Sequence, residues 1–123
     1  MRLTRIHQIA AHVDDLEATR TFYQDTLGAR FLAGFDPPGL LFFEFGGVRL
    51  MFERSAGPAT LYFRVDDVTA TFERLVTRGA TAREVPEIAH RDPGYDLWLA
   101  FVSDLDGNNI GLMREAPKGL ERG

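Results

Sequence analysis

An internal repeat is the feature that most constrains what this chain can fold into. The run Val13-Asp14-Asp15-Leu16 has a counterpart in Val65-Asp66-Asp67-Val68, and in both copies Ala and Thr follow at the same spacing. Self-similarity of this kind predicts two copies of one supersecondary unit. In each copy an apolar run ends in Asp-Asp, which is typical of a strand followed by a helix with an aspartate at its N-cap. The sequence therefore predicts two similar modules, each beginning with a strand and then a helix.

The rest of each module is predicted to be three strands. The second helix carries an apolar stripe from Val68 to Val76 and is predicted to end at Gly79. The first helix carries a looser apolar stripe and is predicted to end at Gly28. Apolar and aromatic segments divided by glycine and proline turns predict the strands, at 30–35, 40–45 and 48–53 and again at 81–85, 97–102 and 109–113. The polar segment 86–96 is predicted to be a loop, and the charged segment from Pro117 onwards is predicted to fray.

Length, charge and cysteine usage exclude several classes of function. A chain of 123 residues predicts one compact domain, or two small halves that share a core. The net charge of −4, without a basic run, argues against nucleic acid or an anionic membrane as a partner. With no cysteine there is neither a thiolate nucleophile nor a disulfide, and no apolar stretch suggests a signal peptide or a membrane span. These features predict a cytoplasmic protein and leave small molecules or other proteins as its partners.

The doubled strand-helix-strand-strand-strand pattern resembles the vicinal oxygen chelate superfamily, which includes glyoxalase I, the extradiol dioxygenases, methylmalonyl-CoA epimerase and the fosfomycin- and bleomycin-resistance proteins. The resemblance covers roughly Ile6 to Arg114. Its most specific parts are Val13-x-Asp15-Leu16, then Phe22-Tyr23-x-x-x-Leu27-Gly28, and Phe101-x-x-Asp104-x-Asp106-Gly107-Asn108. Any one of these is a weak signal, but together, in order and at the family's spacing, they identify the family.

The resemblance implies an α+β fold of two βαβββ modules whose mixed sheets form an open cup with the helices outside. It divides the single domain, 1–123, into module one at about 4–54, module two at about 58–114 and a tail at 115–123. In such proteins the ligand lies between the modules, often beside a divalent metal, and small chains commonly form homodimers. We therefore expect a homodimer here.

The metal positions that the resemblance implies hold poor ligands in this chain. They fall on Gln8 and Met51 in the first module and on Thr60 and Gly111 in the second. A catalytic divalent site normally needs about three imidazole or carboxylate ligands. This set offers one amide oxygen, so the sequence predicts no metal and no other cofactor.

Three other residues deserve consideration as replacement ligands. His7 neighbours Gln8, but alternation along a strand turns its side chain to the opposite face. His12 shares the face of Gln8 but lies roughly 13 Å along the strand. Glu53 shares the face of Met51 two residues on, so a shifted site using Glu53 stays conceivable.

Further candidates for ligand contact come from strand parity and from the predicted loop. Tyr62 and Arg64 share the predicted cavity face with Thr60, and a buried arginine there would need an anionic partner. His90, in the predicted loop, could carry a titratable group to a ligand, and Trp98 could add aromatic surface. The predicted ligand-binding set is Gln8, Met51, Thr60, Tyr62, Arg64, His90, Trp98 and Gly111.

We therefore expect a metal-free protein, similar to the bleomycin-resistance proteins, that binds a small, partly aromatic or apolar molecule between its modules. The alternative is an enzyme of the same superfamily, a lyase, isomerase (epimerase) or dioxygenase. It would use either a non-standard metal site or no metal, with His90 or Tyr62 as the catalytic acid or base. A third possibility is a regulatory module whose cavity is vestigial.

Overall fold

Two four-stranded sheets make up most of the computed structural model, which describes residues 1–123. The strands are β1 (Gln8–His12), β2 (Arg30–Phe35), β3 (Leu40–Phe45), β4 (Val48–Glu53), β5 (Thr60–Arg64), β6 (Thr81–Arg91), β7 (Asp96–Ser103) and β8 (Asn109–Ala116), and the helices are α1 (Leu16–Thr21) and α2 (Val68–Thr77). The chain forms two compact units, residues 1–59 with 105–107 and residues 60–104 with 108–123. The predicted α+β fold of two βαβββ modules with open mixed sheets is confirmed.

In the first unit the strand order is β1-β4-β3-β2, with β1 parallel to β4 and the other pairs antiparallel. Alternation buries one face, which includes Phe43 and Phe52. Tyr23, from the π-helical segment Phe22–Thr26 that continues α1, packs on this face with ring centroids 4.6 Å from Phe52 and 5.7 Å from Phe43. The opposite face, with Gln8 and Met51, stays partly exposed.

The second unit repeats this plan with the order β5-β8-β7-β6, β5 being parallel to β8. Helix α2 buries Val68, Phe72 and Leu75, as the apolar stripe predicts. The sheet face on the helix side is buried as well, at Ala100, Val102, Ile110 and Leu112. One face of this sheet is again open.

Both predicted helix caps are confirmed. The carboxylate of Asp15 accepts a hydrogen bond from the Ala18 amide at 3.0 Å, and that of Asp67 accepts one from the Ala70 amide at 2.9 Å. Neither helix could cross a membrane, since the longer one, α2, has only ten residues.

Two predicted irregular segments are ordered in the structure. Strand β6 continues to Arg91 instead of ending near 85, because its residues keep pairing with β7 as far as Arg91 and Asp96. Pro86 is tolerated there because β6 is the edge strand of its sheet. The segment 117–123 does not fray, since Lys118 and Gly119 bind Asp96 and Gly123 is buried.

The hairpin turn 105–107 belongs to the first unit through Asp106. Its buried carboxylate accepts hydrogen bonds from the Asp14 amide at 2.9 Å and from the Thr19 hydroxyl. The neighbouring Asp104 instead stays in the second unit, where it accepts bonds from the backbone and side chain of Asn108. Both aspartates thus serve the turn and its packing.

Replacing Asp106 with alanine should destabilise the protein by about 2–4 kcal/mol, because the buried Thr19 hydroxyl and the partly buried Asp14 amide lose their acceptor. The matched control is Leu105→Ala in the same turn, which should change the free energy of unfolding by no more than about 0.5 kcal/mol because Leu105 is exposed. Urea unfolding followed by circular dichroism measures both. Equal effects of the two substitutions would contradict the role of the carboxylate.

Candidate functional site

The open face of the first sheet holds a connected set of polar and apolar side chains. Gln8 and Arg49 are partners across β1 and β4, and the Gln8 Oε1 accepts a hydrogen bond from Arg49 Nε at 2.6 Å. The amide Nε2 of Gln8 lies 3.6 Å from the sulfur of Met51. The Arg49 guanidinium lies 5.6 Å from the centroid of the Phe42 ring, a cation–π contact. The Gln8 side chain is therefore fixed by protein contacts on both of its polar atoms.

This arrangement does not fit a divalent cation. The only oxygen that the two first-module metal positions offer is Gln8 Oε1, and it already accepts from a guanidinium at 2.6 Å. A permanent positive charge beside the amide repels a second cation. The remaining donor is the thioether of Met51, which prefers soft ions.

The open face of the second sheet is built around Gly111. Register places Gly111 between Tyr62 on β5 and Phe101 on β7. The two rings meet edge to face, with centroids 5.6 Å apart. Tyr62 keeps 56% of its surface exposed, so this aromatic pair is presented to solvent. Thr60 lies on the same face, two residues before Tyr62, and is exposed.

The same rings close the position at which the family resemblance implies a metal-binding acid. A Cβ atom built on Gly111 would lie 2.7 Å from the Tyr62 ring and 3.0 Å from the Phe101 ring. Any side chain at position 111 thus requires the aromatic pair to move. Across the whole chain, no group of three or more histidine, cysteine, aspartate or glutamate residues could hold a metal ion.

Three residues of the predicted ligand-binding set lie apart from these two groups. Trp98 alternates with Phe101 along β7 and lies on the buried face with Ala100, because strand parity and not aromatic character decides the face. Arg64 is exposed and forms an ion pair with Asp66 at 2.7 Å, so it needs no buried anionic partner. His90 lies on the edge strand β6 rather than in a loop, with Nε2 3.8 Å from Asp92.

The alternative metal ligands are not brought together either. His7 is exposed and precedes β1, and the carboxylate of Glu53 accepts a hydrogen bond from the hydroxyl of Ser55. Both ring nitrogens of His12 have acceptors, since Nδ1 lies 2.9 Å from the Ala56 carbonyl oxygen and Nε2 lies 2.7 Å from the Asp14 carboxylate. A ring that donates twice is an imidazolium, which cannot ligate a metal.

The surroundings of His12 raise its pKa above the ordinary value of 6.5. The main cause is the hydrogen bond to Asp14, followed by the bond to the Ala56 carbonyl. The folded state favours the charged imidazolium form of His12. This form therefore stabilises the fold fully when the pH is below the ordinary pKa of histidine, and the stabilisation is lost as the pH rises through the raised pKa of the folded state.

Wild-type protein should therefore lose more stability than His12→Asn when the pH rises from about 6 to about 9. The free energy of unfolding in urea, measured at both pH values, tests this difference. Thr4→Asn, at an exposed position before β1 that does not titrate, is the control and should keep the wild-type pH dependence. If the free energy of unfolding changes equally with pH in wild type and in His12→Asn, the imidazolium does not stabilise the fold.

Gly111→Ala should destabilise the protein by about 1–3 kcal/mol, because the added methyl group meets the Tyr62 and Phe101 rings. In a Tyr62→Ala background the cost should fall to less than half, since the closer ring is gone. Gly57→Ala is the matched control, because a Cβ there would contact nothing within 4 Å. A double-mutant cycle of thermal or urea unfolding measures the coupling, and strict additivity would contradict the steric argument.

Comparisons with known proteins agree with this architecture. A model of the Glyoxalase/Bleomycin resistance protein/Dioxygenase superfamily matches residues 5–112. Lactoylglutathione lyase from Agrobacterium tumefaciens is similar in structure, with 22% identity, a TM-score of 0.72, and coverage of 91% of this chain and 94% of that chain. TioX from Micromonospora sp. ML1 has 20% identity and a TM-score of 0.71, over 91% and 99% of the two chains.

A further structural relative is TnmS3, an antibiotic binding protein from Streptomyces sp. CB03234. It has 26% identity and a TM-score of 0.71, and the match covers 96% of this chain and 99% of that one. No curated protein is significantly similar in sequence. Since the family model spans most of its residues, the chain belongs to the glyoxalase/bleomycin resistance protein/dioxygenase superfamily.

Proposed function

We propose that this chain is a binding protein that holds a small, partly aromatic or apolar molecule against the open faces of its sheets, without a divalent metal. The observation that carries the proposal is the Tyr62–Phe101 ring pair over Gly111. The pair lies on the sheet face that no helix covers, and more than half of the Tyr62 surface faces solvent. Exposed aromatic surface of this kind supports contact with a flat ligand.

The first sheet supplies a similar surface. Phe35, which is 52% exposed, meets Phe42 edge to face with ring centroids 6.0 Å apart, and Phe42 also contacts the Arg49 guanidinium. Binding sites for small molecules combine a mostly apolar wall with a few placed polar groups. Gln8, Thr60 and the Tyr62 hydroxyl are the polar groups that we assign to ligand orientation.

Relatives and charge support a binding role over metal-dependent catalysis. The relative TnmS3 is described as an antibiotic binding protein. The Arg49 guanidinium and the Tyr62 ring both stand where a metal site would need carboxylates or open space. A lyase, isomerase (epimerase) or dioxygenase activity, with His90 or Tyr62 as acid or base, is the alternative that the experiment below must exclude.

We include in the proposal a single domain, a cytoplasmic location and a homodimer, as the sequence predicts.

The neutral fluorophore N-phenyl-1-naphthylamine serves as a probe, since its emission rises when it leaves water. We expect saturable binding to the wild-type protein and about fivefold weaker binding to Tyr62→Ala, the loss expected for one aromatic contact. Val85→Ala is the matched control, because Val85 is a similarly exposed apolar residue on β6 of the same unit. Equal weakening by both substitutions would contradict a site at Tyr62.

The metal arm of this experiment separates binding from metal-dependent catalysis. Probe binding should be the same after dialysis against a chelator and after addition of Ni²⁺, Zn²⁺ or Mn²⁺. Protein that keeps about one such ion per chain through dialysis, with a probe affinity that depends on it, would contradict the proposal.

A further inference from the structure

A groove of about 550 Å³ lies on the helix side of the first sheet, between α1 and the hairpin of β2 and β3. All of its lining residues belong to the first unit. Its apolar wall consists of five side chains, Leu16, Phe31, Phe35, Leu40 and Leu41. A cavity of this size with a mostly apolar wall is typical of a site for a small molecule.

The groove stays open at Gly34 of β2, which has no side chain. Register pairs Gly34 with the buried Leu41 on β3, so position 34 faces the helix side of the sheet. A Cβ atom built on Gly34 would lie 3.3 Å from Cδ2 of Leu41 and 3.4 Å from Cζ of Phe31. A larger residue at this position would therefore place its side chain between two wall residues and fill part of the groove.

The groove already holds one cation on an aromatic ring. The guanidinium carbon of Arg20 lies 3.8 Å from the centroid of the Phe31 ring, and Nε of the same side chain donates to Gln24 Oε1 at 3.5 Å. Arg20 is the only basic residue of the lining. The second aromatic ring of the wall, Phe35, is 52% exposed and has no cation over its face.

Two carboxylates of the lining have no partner in the protein. Glu17 belongs to α1, and Asp36 directly follows β2. Both residues are exposed, and neither carboxylate accepts a hydrogen bond or forms an ion pair. Arg20 is one helical turn from Glu17 but lies over Phe31 instead. Because two carboxylates face one guanidinium, the lining is negatively charged at neutral pH.

We propose that this groove is a second binding site and that its ligand is a small organic cation, an ammonium group on an aromatic or alkyl body. The apolar body lies against Leu40 and Leu41. The ammonium group is attracted by the Glu17 and Asp36 carboxylates and by the exposed face of the Phe35 ring. An anion of the same shape would meet two like charges, and a neutral molecule would gain neither attraction.

The 1-naphthylmethylammonium ion tests this proposal, with 1-naphthoate and 1-naphthalenemethanol as anionic and neutral compounds of similar shape. In assigned ¹H–¹⁵N spectra of the full chain, the backbone amides of Arg20, Gly34 and Leu41 should shift in a saturable manner with the cation. The alcohol should bind about fivefold more weakly at these residues, and the naphthoate more weakly still. Equal or tighter binding of either compound, or no saturable shift with the cation, would overturn the proposal.

Glu17→Gln and Asp36→Asn should each weaken binding of the cation by about threefold, and together by about tenfold, because each removes one exposed charge and keeps the shape. Glu84→Gln is the matched control, since Glu84 is an exposed carboxylate without an ion pair on β6 of the second unit. It removes the same charge from the chain and should leave the affinity unchanged. Equal weakening by all three substitutions would show that only net charge matters and would overturn the proposal.

Salt and protein concentration provide two further measurements. Raising the salt concentration from about 0.05 M to about 0.5 M should weaken cation binding to wild type, because salt screens exposed charges, but not to the double variant of Glu17 and Asp36. The groove amides should keep their positions when the protein alone is diluted. Equal salt dependence of the two proteins would overturn the proposal. Shifts on dilution, which would place a second copy of the chain in the groove, would overturn it as well.

The proposed site is separate from the function proposed above. The groove lies on the covered side of the first sheet, whereas Tyr62 lies on the open side of the second. Phe35 borders both the groove and the open face of its sheet, so no variant of this experiment changes it. Tyr62→Ala should leave the shifts of the groove amides unchanged, and Glu17→Gln and Asp36→Asn should leave binding of the neutral N-phenyl-1-naphthylamine unchanged. Failure of one proposal is thus distinguishable from failure of the other.

Discussion

Each sheet of this protein has one face covered by a helix and one face left open, and the alternation of side chains along the strands decides which residues each face receives. In β4 the buried residues Leu50 and Phe52 flank Met51, and in β8 the buried residues Ile110 and Leu112 flank Gly111. A shift of one residue in either strand would exchange the two sets and destroy both the core and the open face. The core therefore fixes the position of the candidate site.

Local chemistry explains why much of the fold could be predicted from the sequence. An aspartate before a helix caps the first turn whatever lies around it, so Asp15 and Asp67 marked both helix starts correctly. The bounds of β2, β3 and β4 follow from aromatic and aliphatic runs between turn residues, which also act locally. The pairing of Gln8 with Arg49 could not be predicted, because it depends on a register between strands 41 residues apart.

Composition alone predicts the wrong position for several residues of this chain. Trp98 is aromatic like Tyr62, but an aromatic side chain suits either face of a half-covered sheet, and only register separates the two. Polar residues after Pro86 suggested a loop, yet an edge strand needs pairing on one side only. The charged segment 117–123 suggested disorder, because nothing in the sequence indicates that Asp96 is buried and needs Lys118.

The positions at which the family resemblance implies metal ligands fit a divalent metal poorly for a different physical reason in each module, and each reason involves a neighbouring side chain. In the first module a carboxylate at position 51 would lie beside Arg49 and would pair with that guanidinium, which already engages Gln8. In the second module the space above Gly111 is filled by two rings. The first module thus places a guanidinium against Gln8, and the second places an aromatic pair against Gly111. Under the function proposed above, the same side chains, Gln8 with Arg49 and Tyr62 with Phe101, are the groups that a flat or apolar ligand would contact.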